Sequence, residues 1–338
     1  MKKKRSILSM LLLAILMIGS LVGCSPTSQK DQVKEEPKVV AKVTALKGPT
    51  GMGMVKMISD ESNKAEKGYE FTIASSVDEI TPKIVNKEID IAAVPANLAS
   101  VLYNNTKGEV ETLAINTLGV LYIVENGDSI KNVQDLKGKT IYVSGKGATP
   151  EYALKYILKE NGIDPDKDVN IEYKAEHAEC LAALLNDKNG IALLPQPFVT
   201  VAMNKNKNLK VALDLTKEWE ALNKDKKDGS TLITGVVIAR KDFIDKYPEK
   251  IKNFLEEYKK SIEFTNNNID EAAKLIGESG IVPAPIAKKA IPQCNIVFID
   301  GKEMKDKLSG YLQVLYDANP KSIGGKMPDE NFYYIQEN

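Results

Sequence analysis

From Val39 onward the chain alternates short β-branched apolar runs with stretches whose apolar residues recur at helical spacing. The runs predict strands at 39 to 45, 69 to 74, 89 to 94, 111 to 116, 120 to 125, 139 to 144, 169 to 174, 190 to 194, 209 to 214 and 232 to 239, with helices between them. Such alternation is the pattern of an α/β architecture with mostly parallel strands. From Lys241 the pattern turns helical. Tyr247-Pro248 opens a long amphipathic helix carrying Ile251, Phe254, Leu255 and Tyr258, and further helices are expected near 270 to 277, 283 to 290 and 304 to 316, packed back on the first half.

One block of this pattern occurs twice. Asn86-Lys87-Glu88-Ile89-Asp90-Ile91-Ala92-Ala93-Val94-Pro95-Ala96-Asn97 lines up with Asn186-Asp187-Lys188-Asn189-Gly190-Ile191-Ala192-Leu193-Leu194-Pro195-Gln196-Pro197 at an offset of one hundred. A second pair stands upstream of it in the same order. Lys47-Gly48-Pro49-Thr50-Gly51-Met52-Gly53-Met54 and Gly145-Lys146-Gly147-Ala148-Thr149-Pro150 each follow a strand and precede a helix. Two copies of one unit imply two similar lobes. Thr117-Leu118-Gly119-Val120 reads as the crossing from one to the other, and Thr231 to Arg240 as the return, a double hinge. The expected division is 39–117 with 236–338 in lobe I, and 118–235 in lobe II.

The glycine loops fit neither common nucleotide motif. Gly48 and Gly53 have phosphate-loop spacing, but Met54 and Val55 stand where a lysine and a hydroxyl residue are needed. Lys56 occupies the place of the third glycine of the dinucleotide fingerprint. What remains is a strand-to-helix ligand loop whose glycines clear the approach and whose backbone N–H groups favour a negative or hydrogen-bond-accepting ligand.

The N-terminus departs from the rest. Lys2, Lys3, Lys4 and Arg5 precede an apolar run from Ile7 to Val22, the layout of an export signal. Residues 1–23 are expected to be a signal peptide and residues 24–38, polar and charged, a flexible tether. The formal charge is zero over 338 residues. Without Lys2 to Arg5 the chain is mildly acidic and has no basic patch for nucleic acid. Beyond Arg5 the basic residues are lysines except Arg240, so forked recognition of a carboxylate or phosphate would fall to Arg240 alone. No spacing of His, Cys or carboxylates suits a metal, and no cofactor is expected. Cys180 and Cys294 could pair outside the cytoplasm, but spacing does not decide it.

In an open α/β sheet, ligands bind beyond the carboxyl ends of the strands. The candidate contacts are therefore Gly51, Met52, Ser75, Ser76, Pro95, Ala96, Asn97, Thr117, Gly147, Ala148, Thr149, His177, Gln196 and Thr234. Most offer small side chains, hydroxyls, amides or backbone donors, a set suited to recognition more than reaction, and no catalytic residue is assigned. Several carry plainer readings. Ser76 with Glu79 makes a capping box, Met54 belongs to an apolar stripe, Trp219 suits a packing anchor, and a lone histidine such as His177 is more often structural than ligating.

Leu21-Val22-Gly23-Cys24 resembles the bacterial lipoprotein signal, in which the cysteine is lipidated. With the Gly-Pro-Thr-Gly loop, Glu88 to Pro95, Leu136-Lys137-Gly138-Lys139-Thr140-Ile141 and Leu194-Pro195-Gln196-Pro197-Phe198-Val199, the chain resembles the substrate-binding lipoproteins of ABC transporters in the nitrate, sulfonate and taurine group, which includes relatives for thiamine-pyrimidine precursors. The resemblance covers roughly residues 39 to 320. It implies a two-lobe, class II periplasmic-binding-protein fold and a monomer anchored to the membrane through Cys24. Such a protein captures a small organic anion or heterocycle between its lobes and delivers it to permease and ATPase subunits. Enzymes on the same fold, the pyrimidine synthases and the menaquinone-pathway dehydratases, are the rival reading. Export and the missing cysteine-rich motif of the synthases weigh against them.

Overall fold

The computed structural model describes residues 39–225 and 230–336. The expected signal peptide, the tether and the lipidation site Cys24 lie outside the described residues. Among the described residues eleven strands form two sheets. The first contains β1 (Ala41–Leu46), β2 (Tyr69–Ala74), β3 (Ile91–Pro95), β4 (Val110–Leu118), β10 (Ile233–Arg240) and β11 (Ile296–Asp300), in the order β11-β4-β10-β3-β1-β2. The second contains β5 (Leu121–Asn126), β6 (Thr140–Ser144), β7 (Asn170–Lys174), β8 (Ile191–Pro195) and β9 (Leu209–Asp214), in the order β7-β6-β8-β5-β9.

The repeat is visible in the ladders. β3 pairs parallel with β1 and antiparallel with β10, and β8 pairs parallel with β6 and antiparallel with β5. Thus β10-β3-β1-β2 and β5-β8-β6-β7 are one arrangement built twice. Both sheets are mixed, where the alternating pattern suggests mostly parallel ones. β5 and β10 each arrive from the other sheet and so enter against the direction of their neighbours. The return strand also joins the first sheet earlier than expected. Ile233 pairs with Leu118 and Gly235 with Thr117, so Leu118 and residues 233–235 belong to the first sheet rather than to lobe II.

β11 is a strand that the helical reading of the C-terminal part overlooks. Ile296-Val297-Phe298-Ile299 is β-branched and aromatic, and it adds antiparallel to the edge of β4. Asn295, at φ 42, turns the chain into it after Cys294.

The helices are α1 (Pro49–Met52), α2 (Val55–Ser62), α3 (Thr81–Val85), α4 (Ala96–Thr106), α5 (Thr149–Glu160), α6 (His177–Asn186) and α7 (Phe198–Lys205). There follow α8 (Leu215–Asn223), α9 (Lys241–Lys246), α10 (Pro248–Asn267), α11 (Ile269–Glu278), α12 (Ala284–Ala290) and α13 (Gly301–Ala318). Ile251, Phe254, Leu255 and Tyr258 of α10 are buried as their spacing predicts, and with α2, α11 and α12 they form a core on one face of the first sheet. α6 and α7 cover a smaller core on the second sheet.

On the opposite face a single apolar core runs under both sheets, gathering α4, α5, α8 and α13. α13 packs on β4 and β11 as expected, but also against α5 of the second sheet. Trp219 sits inside this seam, its ring 4.7 Å from that of Tyr156 and 5.4 Å from that of Tyr311, with Nε1 donating to the Ser230 carbonyl at 3.2 Å. It is a packing anchor. Cys180 and Cys294 are free buried thiols in different cores.

Candidate ligand-binding cleft

The parallel strands of each sheet end at a common edge, and the two edges face one another across a cavity of about 130 Å³. Leu46, Lys47, Ser75, Ser76, Val77, Asp78 and Pro95 line it from the ends of β1, β2 and β3. Ser144, Gly145, Lys146, Ala148, Pro150, Lys174, Ala175, Glu176 and His177 line it from the ends of β6 and β7. A space this size lies below the roughly 300–1,000 Å³ usual for ligand pockets, so it suits a small ion better than a nucleotide.

Three lysines, Lys47, Lys146 and Lys174, border this space. Lys47 and Lys146 form no ion pair with a described carboxylate. Lys146 lies over the Tyr173 ring at 5.4 Å, and Lys174 over Tyr142 at 5.3 Å with Glu172 3.4 Å away. Sequence reasoning passed over these lysines because lysine is everywhere in the chain. Their signal was position: immediately after β1, between Gly145 and Gly147, and at the end of β7. Asp78 and Glu176 also line the cavity. Cations still outnumber carboxylates.

Backbone donors at the loops are engaged by the protein itself. Glu79 Oε1 accepts from Ser75 N at 3.0 Å and Ser76 N at 3.1 Å, completing the expected capping box. Glu151 Oε2 accepts from Gly147 N at 2.6 Å, and Glu179 Oε2 from Ala175 N at 2.9 Å. Each glutamate lies three or four residues beyond the N–H it binds. At these four N–H groups the negative partner that a helix start favours is supplied locally. Ser75, Ser76 and Ser144 bring hydroxyls. His177 opens α6, shares a hydrogen bond between Nδ1 and Ser144 Oγ, and packs its ring 5.1 Å from Phe198. Burial lowers its pKa to about 4, so it is neutral near pH 7.

A family model described as ABC transporter, phosphonate, periplasmic substrate-binding protein matches residues 54–285, more than half of the chain. The chain belongs to that family. It is an extracytoplasmic substrate-binding component of an ABC importer. An ABC transporter of Parabacteroides distasonis superposes with a TM-score of 0.71 at 24% identity, covering 88% of this chain and 99% of that one. The periplasmic aliphatic sulphonate binding protein SsuA of Escherichia coli gives 0.68 at 16% identity over 90% and 95% of the two chains. The periplasmic nitrate-binding protein NrtA of Synechocystis PCC 6803 gives 0.59 at 15% identity over 74% and 69%. Among curated proteins none matches. The family description names phosphonate, where the sequence resemblance names nitrate, sulfonate and taurine.

In this substrate-binding protein the remaining predicted contacts divide by place. Ser75, Ser76, Pro95, Ala148 and His177 line the cleft. Gly147 stands in its rim loop at φ 76. Gly51 and Met52 do not face the cleft. Met52 is fully buried in the core of the first sheet, and a Cβ on Gly51 would meet the Leu46 carbonyl oxygen at 2.8 Å. Thr50 Oγ1 donates back to the Leu46 carbonyl at 3.0 Å, and Gly48, at φ 148, takes the cap position of α1. Gly51 therefore serves the tight packing of a four-residue helix against the end of β1, not ligand approach.

Ala96, Asn97 and Thr149 are buried beneath the cleft floor. Thr117 and Thr234 belong to the hinge strands, where Thr234 Oγ1 donates to the Leu118 carbonyl at 2.6 Å. Gln196 joins the lobes directly, Nε2 donating to Gln293 Oε1 at 2.7 Å while its Oε1 accepts from Thr200. Arg240 is remote from the cleft: it pairs with Asp90 at 2.7 Å and Asp242 at 2.6 Å, and its Nε donates to the Ile89 carbonyl. Among the described residues no group of three or more His, Cys, Asp or Glu is gathered for a metal.

Proposed function

We propose that the cleft captures a small tetrahedral oxyanion of the phosphonate class, and that the protein, tethered through a lipidated Cys24, presents it to permease and ATPase subunits. The observation that carries this reading is that Lys47 and Lys146, neither in an ion pair with a described carboxylate, line a cavity of about 130 Å³ together with Ser75, Ser76 and Ser144, while Lys174 at its edge is shared with Glu172. Ammonium groups around a small, partly enclosed space attract a compact dianion more strongly than a monoanion. The phosphonate named by the family description fits that preference, and the sulphonate of SsuA and the nitrate of NrtA are the monoanionic comparisons. A larger cavity of about 500 Å³ between α5 and the end of α13 is a weaker candidate. Its Lys155 is already paired, with Glu151 at 3.1 Å and Asp166 at 3.3 Å.

Titration calorimetry with methylphosphonate, phosphate, methanesulfonate and nitrate tests the reading. Methylphosphonate should bind, more weakly as salt rises, and Lys47→Met or Lys146→Met should each cost about tenfold in affinity. Binding that ignores both lysines, or no binding by any oxyanion, overturns it. For the anchor, Cys24→Ala should move the protein from the membrane fraction to the soluble one. An unchanged membrane fraction rules out lipidation at Cys24 as the tether.

A further inference from the structure

Asn97 stands in the first turn of α4, two residues past Pro95 on the cleft wall. Its side chain is fully enclosed. Nδ2 donates across to the second lobe, to the Gly147 carbonyl at 3.1 Å, and also to the Ser322 carbonyl at 2.9 Å. Oδ1 accepts from Thr149 Oγ1 at 3.3 Å, and that hydroxyl accepts in turn from Tyr311 OH at 3.3 Å. Both N–H bonds of the amide are thus engaged by the protein, so none is left to meet a ligand.

What these bonds hold is a spacing. Gly147 is gripped from both sides, its N–H by Glu151 within its own lobe and its carbonyl by Asn97 from the other. Its neighbours Lys146 and Ala148 form the cleft wall opposite Pro95. An amide of fixed reach therefore ties one wall of the cavity to the other. If it were shortened, the Gly147 carbonyl would lose its partner and would gain by moving outward to water, which widens the cleft.

We propose that Asn97 is the positioning residue that sets how closely the two lobes approach, and hence the size of oxyanion the cleft accepts. This rests on the oxyanion reading above. The test compares calorimetric affinities of methylphosphonate and phenylphosphonate for the wild-type protein, Asn97→Ala and Asn97→Ser. The wild type should favour the smaller ligand. In Asn97→Ala methylphosphonate should weaken about tenfold while phenylphosphonate is nearly unchanged, so that the selectivity ratio narrows about tenfold. Asn97→Ser keeps a polar side chain whose hydroxyl stops one bond short of the amide and cannot reach Gly147, and it should show the same narrowing. It serves if Asn97→Ala does not fold. Equal losses for both ligands, unchanged affinities, or failure of both variants to fold would overturn the proposal. If the wild type binds neither ligand, the oxyanion reading itself fails. If the wild type binds both and the ratio survives substitution, only the role of Asn97 fails.

Discussion

His177 lines the cleft as a neutral ring, and that has a thermodynamic consequence. Burial holds its pKa near 4, below the ordinary 6.5. As pH falls through 6.5 the unfolded chain takes up a proton that the folded chain refuses, so stability drops between pH 6.5 and 4 and levels off below. The full effect is at most roughly 3 kcal/mol. Urea unfolding of wild type and His177→Gln at pH 7 and pH 4.5 isolates it from the carboxylates that titrate in both. The wild type should lose more stability than the variant, and equal losses would sink the assignment. A neutral His177 also adds no charge to anion binding, which leaves that task to the lysines. At this scale the sequence was partly legible. Ser75, Ser76, Pro95 and His177 could be placed at strand ends by pattern alone. Lys47, Lys146 and Lys174 could not, because lysine dominates the 46 basic residues and type carries no signal where it is common. The rarity of Arg240 pointed the other way, to a residue that the structure engages with Asp90 and Asp242 far from the cleft.

Elements were legible wherever period and punctuation agreed. β3 and β8, each an apolar pentapeptide closed by proline, were visible as repeats and occupy equivalent places in the two sheets. β11 was not, since four strand-forming residues before Asp300, set between helices, have too little length to show a period. The sense of the ladders was hidden for another reason. Alternating strands and helices suggest parallel pairing, but the direction of β5 and β10 depends on their passing between sheets, which no local pattern records. Helix starts were misjudged through competition. Glu79, Glu151 and Glu179 are tethered within a turn of the N–H groups they bind, so no free ligand matches their effective concentration. Only Glu79 was readable as a cap, because Ser76 supplied the other half of the box.

For the whole molecule, the asymmetry of the cores matters more than the symmetry of the repeat. The cores under α10–α12 and under α6–α7 are separate, while the third passes without interruption beneath both sheets. Two lobes joined only by hinge strands could melt apart, whereas lobes sharing a buried core must melt together. Tyr311 is the side chain on which this turns: it is fully buried, it packs its ring on Trp219, and its hydroxyl donates to Thr149 at the cleft end of α5. Tyr311→Ala removes an aromatic ring from the seam and should cost about 3–5 kcal/mol, as large core truncations do. Scanning calorimetry should show one cooperative transition for the wild type, shifted down in Tm for the variant and either still single or split into two as the shared core fails. Two transitions in the wild type would show that the seam does not couple the lobes.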